Sequence, residues 1–202
     1  EMRRELLDRL ADKILVEHDG HHDVGLVGVP ILTQTLMKWD RNDLVFRYVN
    51  KETFPSWGYM LQHGATATWE HWDRRRSRIH NCYNGVGEWF YQALAGIQPH
   101  PASPGLKRFR LRPAFSAGDV NHAAAEMKSP YGTIKSEWRI KSGRCRWDIS
   151  IPANTRAQIC LPVSDVNKVT ESGSPVSERE GFQSHPKGRD RTVFVLPSGS
   201  YK

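Results

Sequence analysis

Sulfur is scarce in this 202-residue chain, which has three cysteines, Cys82, Cys145 and Cys160, so at least one must stay unpaired within it. None has the short spacing of a zinc or redox site, which excludes both classes of chemistry. Cys145 and Cys160 leave room for one bridge, and buried free thiols fit the sequence as well. The compartment stays open: cytoplasm, periplasm and secretion are all compatible with this usage. Long apolar runs are lacking too. None approaches the roughly 20 residues that a membrane helix needs, and mean hydropathy is −0.61 with 38% hydrophobic residues, so a soluble protein with no membrane partner is expected. The first residues lack the basic, apolar, small-residue order of a secretory signal. The chain starts directly in an amphipathic segment and is expected to be part of something longer.

Charge is unevenly spread. Residues 1–103 carry 12 Lys and Arg against 13 Asp and Glu, and residues 104–202 carry 17 against 9. A basic second half raises nucleic acid or an acidic polysaccharide as a partner. Its positive residues, however, are scattered through alternating segments with no nucleic-acid motif. Solvated strand faces account for them, and no nucleic-acid partner is expected.

The period of the apolar residues changes at the same place. Before it, Leu6, Leu7, Leu10 and Ile14 recur at helical spacing, as do Leu32, Thr35, Leu36 and Trp39. Val86, Trp89, Phe90, Ala93, Leu94 and Ile97 make one wide stripe, which predicts a single helix. Pro99 to Gly105 is a proline-rich hinge. Beyond it the period is two. Ile134, Ser136, Trp138 and Ile140 alternate with polar neighbours, then Cys145, Trp147, Ile149 and Ile151, then Ala157, Ile159, Leu161 and Val163. Val193 and Val195 predict a last strand. The expected fold is an all-α part, residues 1–103, followed by an antiparallel β-sandwich, residues 104–202.

The chemistry gathers in the helical part. Phe54-Pro55-Ser56-Trp57-Gly58-Tyr59-Met60 is followed by Gly64-Ala65-Thr66-Ala67-Thr68-Trp69-Glu70-His71-Trp72-Asp73. One carboxylate, Glu70, thus stands among three tryptophans and two threonines. Flat rings cover the apolar faces of a pyranose, short hydroxyls meet its hydroxyls, and a carboxylate handles a proton or a water. Packing alone also accounts for tryptophans at such positions. His18, His21 and His22 beside Asp23 collect metal-ligating types, but no second ligand group at zinc spacing accompanies them, and no metal is expected. Asp23 fits an N-cap at a helix entry. Glu88, at the start of the 86–97 stripe, fits the positive end of a helix dipole.

Phe54 to Asp73, then His80-Asn81-Cys82-Tyr83-Asn84-Gly85-Val86-Gly87-Glu88-Trp89-Phe90-Tyr91 and Ala95-Gly96-Ile97, resembles the end of the catalytic domain of bacterial α-L-rhamnosidases of glycoside hydrolase family 78. The resemblance reaches upstream to His22-Asp23-Val24-Gly25-Leu26-Val27-Gly28. Downstream it runs through Pro104-Gly105, Arg112-Pro113, Ser129 to Gly132, Ser136-Glu137-Trp138 and Ile151 to Thr155. It implies the last helices of an (α/α)6 barrel capped by a β-sandwich, so that part of the same protein, N-terminal to this chain, is an expected partner. The other partner it implies is a rhamnose-containing glycoside or polysaccharide. Family members invert the anomeric carbon with an acid and a base roughly 6.5–9.5 Å apart. By the resemblance Glu70 is the general base, and the general acid lies upstream of this chain. Asp73 would share Glu70's face only if that stretch were helical, and proximity alone gives it a packing or capping role. His80 matches the histidine set against the rhamnose hydroxyls, while Trp57 and Trp72 are candidate stacking walls. No cofactor is implied, since glycosyl hydrolysis needs two acids and water.

Two departures matter. Ala67 stands where the family commonly has a second threonine. The connection from Glu70 to His80 is short and carries Arg74, Arg75, Arg76 and Arg78, where many members have a longer Gly/Ser-rich loop. A related (α/α)6 glycosidase on another deoxysugar and a non-catalytic carbohydrate-binding module are the alternatives.

Overall fold

A computed structural model describes residues 2–81, 83–179, 181–182, 184–186 and 191–202. Cys82 lies outside these residues. The chain forms two compact units, residues 1–89 with 116–119, and residues 90–115 with 120–202. The proline-rich stretch 99–105 falls inside the second.

The first unit is helical. Helix α1 (Met2–Asp12) runs on through a π-helical turn to Glu17, followed by α2 (Gly28–Lys38), α3 (Asn42–Val49) and α4 (Trp57–Gln62). Only Ala11 and Ile14 of the first helical stretch are fully buried. The buried residues of α2 are Val29, Thr33 and Leu36, so of the expected row Leu36 is buried, Leu32 and Thr35 are half-buried and Trp39 is not on the inward face. The Thr33 hydroxyl donates to the Val29 carbonyl at 2.8 Å and lies 2.9 Å from the Tyr48 hydroxyl on α3, which satisfies both side chains in the interior. Trp39 is left partly exposed.

The stripe expected as one helix over 86–97 is shorter and mixed. A 3-10 turn (Asn84–Val86), a single α-turn (Gly87–Trp89) and a π-turn (Phe90–Leu94) follow one another. Ile97 begins a strand. Gly96, at φ 76°, ends the helical run in a left-handed conformation. A Cβ there would come within 2.2 Å of the Pro113 nitrogen, so only glycine fits. Of the stripe's helical members, Phe90 is exposed, while Val86, Trp89, Ala93 and Leu94 are buried. The Trp89 indole donates to Asn42 at 3.0 Å, and Glu88 accepts from Gln34 at 2.7 Å.

The second unit is built on strands β1 (Ile97–Pro99), β2 (Arg108–Leu111), β3 (His122–Ser129), β4 (Gly132–Lys141) and β5 (Arg144–Leu161). The short pair β6 (Thr170–Glu171) and β7 (Ser174–Pro175) follows, then β8 (Ser184–Pro186) and β9 (Thr192–Tyr201). The main sheet runs β1-β2-β5-β4-β3, with β9 also on β5 and β8 on β9. Its organiser is β5, whose register with β9 shifts between Ile151 and Arg156, where Asn154 has φ 60°. Before the shift β5 pairs with β4; after it, with β2.

The β2–β5 pairing is parallel, so the unit is not purely antiparallel as expected. Period-two patterning reports which face is buried, not strand direction. The core joins both halves of β5 through Trp138, Trp147, Ile149, Phe109, Ala157 and Ile159. Three buried polar groups are satisfied in sequence: the Trp147 indole donates to the Ser136 hydroxyl at 2.9 Å, Ser136 donates to the Ala95 carbonyl at 2.6 Å, and the Trp138 indole donates to the Leu94 carbonyl at 2.6 Å. On β9 the buried partners are Val193, Phe194 and Leu196, while Val195 faces out. Cys145 is exposed and Cys160 buried, and the two do not bridge each other.

Candidate active site

The site begins at a helix start. Ser56, extended at φ −163°, accepts the Tyr59 backbone N–H on its hydroxyl at 2.9 Å and caps α4. Gly58 lets that first turn press against the chain, since a Cβ would sit 2.4 Å from the Lys51 carbonyl oxygen. These two residues place Trp57. Removing the cap by Ser56→Ala is expected to cost about 1 kcal/mol of stability. Comparing urea midpoints of the two forms checks it.

After α4 the chain turns through Gly64 into a hairpin-like loop. The His80 N–H donates to the Thr68 carbonyl at 2.8 Å, and the Glu70 N–H donates to the Ser77 carbonyl at 2.9 Å. The Thr68 hydroxyl donates to the His80 carbonyl and faces Asn84 Oδ1 at 3.0 Å. Glu70 and His80 thus ride on opposite arms of one loop. The arm around Glu70 is a bend and turn rather than a helix, so the helical spacing that might have set Asp73 on Glu70's face does not apply. Asp73 instead holds Arg75, Oδ2 to Nε at 2.6 Å.

Beside the loop lies an open cleft of about 720 Å³, lined by Trp57, Met60 and Leu61 of α4, by Ala65 to Thr68, by Ile79, His80 and Asn81, and by Asn84. Its inner wall is apolar, and hydroxyl, imidazole and amide groups stand around it. That combination suits a saccharide, which needs stacking surface and convergent donors and acceptors.

Of the residues singled out from sequence, Trp57 and His80 meet at this cleft, and His80 is exposed. Glu70 is not among the lining residues. Its carboxylate, 27% exposed, accepts the Ser77 N–H at 3.3 Å and lies 3.7 Å from Arg76. Trp72 stands away from the cleft wall, stacked on Tyr83 at 3.9 Å and perpendicular to Trp57 at 5.2 Å.

Behind Trp57 sits a group that sequence reasoning had set aside. His22 is 4% exposed, with ring centroids 5.2 Å from Trp57, 5.3 Å from Trp72 and 5.3 Å from Tyr48. Both its ring nitrogens and the Trp57 indole nitrogen are buried without a hydrogen-bond partner. Burial pushes the His22 pKa down to about 4, helped by His21 and opposed by Asp23. The Tyr48 hydroxyl is pushed up to about 12 by the same burial, against its bond with Thr33. Asp23 caps no helix. Helix α2 starts five residues later, and Asp23 stands, largely exposed, 3.7 Å from His18. Among the described residues no three His, Cys, Asp or Glu side chains gather as metal ligands. Asn81 and Asn84, not weighed from sequence as site residues, also line the cleft; Asn84 is held there by Thr68, a contact that only the fold makes.

The helical unit bears a cleft walled by Trp57, and a sheet unit follows it in the chain. Residues 1–94 match the model of the bacterial α-L-rhamnosidase six-hairpin glycosidase domain, and residues 96–175 match that of the bacterial α-L-rhamnosidase C-terminal domain. The chain belongs to the bacterial α-L-rhamnosidase family.

An α-L-rhamnosidase of Streptomyces avermitilis is 31% identical over 213 aligned residues, covering 100% of this chain and 19% of its own length. One from Formosa agariphila is also 31% identical, covering 99% of this chain and 22% of its own. The crystal structure of the Streptomyces avermitilis α-L-rhamnosidase complexed with L-rhamnose superposes with a TM-score of 0.82 at 30% identity, over 96% of this chain and 19% of that one. The chain therefore spans about a fifth of the length of the relatives it matches.

Proposed function

We propose that this chain is the C-terminal part of an inverting α-L-rhamnosidase that hydrolyses terminal α-L-rhamnosides. It supplies the general base Glu70, and the general acid is supplied by chain that precedes it. In this reading residues 1–103 are the last helices of an (α/α)6 barrel and residues 104–202 a β-sandwich, and the chain alone is inactive. The observation that carries the proposal is the pairing of Trp57 with His80 in one saccharide-sized cleft, with Glu70 on the same loop as His80.

The chemistry follows from those positions. Trp57 offers a ring face to the apolar side of the sugar, and His80 exchanges hydrogen bonds with its hydroxyls. The Glu70 carboxylate takes a proton from a water as that water attacks the anomeric carbon. The glycosidic bond breaks as the general acid protonates the leaving oxygen. Ser77 N–H and Arg76 hold the carboxylate's orientation. Exposed apolar side chains on the helical unit, among them Val16, Val27 and Ile31, each at least 60% exposed, support a larger barrel that covers them.

The experiment is a comparison of aryl α-L-rhamnoside with aryl α-L-fucoside on the complete enzyme. Rhamnoside hydrolysis with fucoside left intact is the expected result. The reverse preference replaces the reading with a glycosidase acting on another deoxysugar.

A further inference from the structure

Among the described residues no aspartate, glutamate, lysine or arginine lines the cleft. A ligand there is gripped by neutral groups, so a fixed N–H donor has to come from an imidazole, an indole or an amide. The Trp57 indole nitrogen is buried, and that side chain presents its ring alone. Of the two amides on the wall, Asn81 and Asn84, only Asn84 is tied by a side-chain hydrogen bond among the described residues.

The tie is the Thr68 hydroxyl. Its single proton is shared between the His80 carbonyl and Asn84 Oδ1, the latter at 3.0 Å. Backbone bonds bring these groups together. The His80 N–H donates to the Thr68 carbonyl at 2.8 Å, and the Asn84 N–H donates to the Asn81 carbonyl at 3.2 Å. With Oδ1 turned to Thr68, the planar amide directs its NH2 group away from that residue. No acceptor is paired with this group among the described residues. Asn84 is exposed and shares the cleft lining with Thr68 and His80. Two N–H donors, set in direction and not spent on the protein, thus stand on the cleft wall. Fixing them in advance lowers the ordering cost when a hydroxyl oxygen binds.

We propose that Asn84 is a sugar-binding residue whose Nδ2 hydrogens donate to a hydroxyl oxygen of the saccharide in the cleft, in an orientation set by Thr68. This rests on the glycosidase reading above and adds a contact to it. Thr68 acts through Asn84 and is a positioning residue.

The test compares the complete enzyme with its N84A, N84D, T68V and T68V/N84A forms. It measures KM and kcat on an aryl α-L-rhamnoside, the inhibition constant of L-rhamnose, and urea midpoints. Aspartate keeps the shape of asparagine and an oxygen for Thr68, but it has no N–H to give. N84A and N84D are expected to raise KM and the inhibition constant by roughly three- to tenfold, the worth of one neutral hydrogen bond. Loss of a contact made equally before and during reaction leaves kcat little changed. T68V raises KM too, but adds less in the N84A background than alone, because no amide is left to orient. An N84D form with wild-type KM and inhibition constant overturns the donation, even where N84A weakens binding along with its urea midpoint. Single effects that multiply fully in T68V/N84A overturn the positioning. Both of these results leave the glycosidase reading intact. A complete enzyme that does not cleave the rhamnoside and does not bind L-rhamnose overturns both.

Discussion

With Glu70 as the proposed general base, replacing it by glutamine in the complete enzyme is expected to lower kcat on an aryl α-L-rhamnoside by about 10²–10⁴-fold, the usual contribution of such a base. The glutamine is nearly isosteric, and its side-chain oxygen still accepts the Ser77 N–H that Glu70 takes at 3.3 Å. The loop closure from Glu70 N–H to the Ser77 carbonyl is backbone and is untouched. The fold therefore survives and KM changes little, because the lost interaction, proton transfer from water, exists only in the transition state. Steady-state kinetics of the two forms check this. A variant that loses less than a few-fold in kcat removes Glu70 from the mechanism and returns the cleft to a binding role.

The second large effect is on stability in acid. His22 is almost fully buried, and its pKa in the fold is lowered to about 4, from about 6.5 in an unfolded chain. A lowered histidine pKa means that the unfolded state binds the proton more readily. The stability contribution is therefore fully present above pH 6.5 and is lost as pH falls towards 4. At about 1.4 kcal/mol per pH unit the loss approaches 3 kcal/mol across that window. His22→Leu removes the proton site along with two buried nitrogens that have no partner. The variant is expected to match or exceed wild type at pH 7, since an unsatisfied buried polar group is costly. Its advantage should widen steadily as pH is lowered to 4.5. Urea midpoints of both forms across that range measure the difference, in which titrations elsewhere cancel. Parallel curves for the two forms would show that His22 does not titrate in this window.

The features most legible in sequence were those set by local spacing. Alternation at Ile134, Ser136 and Trp138 reads directly as one buried face of β4, because a strand's side chains alternate strictly. The helical stripe failed at Ile97 for a physical reason. Spacing continues through Gly96 even though a left-handed glycine ends the helix there, and a periodic count is blind to that stop. The parallel direction of β2 against β5 is a property of the connection and leaves no mark on either strand's pattern. At the site, the sequence placed Trp57, Glu70 and His80 within one short stretch, and the fold puts Trp57 and His80 on one cleft. Trp72 looked the same as Trp57 in sequence, yet it stacks on Tyr83 beside His22. Which tryptophan faces the cleft depends on contacts from α3 and from the segment before α2, and no motif records them.

The central claim is that Glu70 activates water for attack on the face opposite the leaving group. The most direct measurement follows the first product of the complete enzyme acting on an α-L-rhamnoside by time-resolved proton NMR. The account predicts that β-L-rhamnose appears first and the α-anomer grows in only by mutarotation. If α-L-rhamnose appears first, the enzyme retains configuration and Glu70 is not the base of an inverting site.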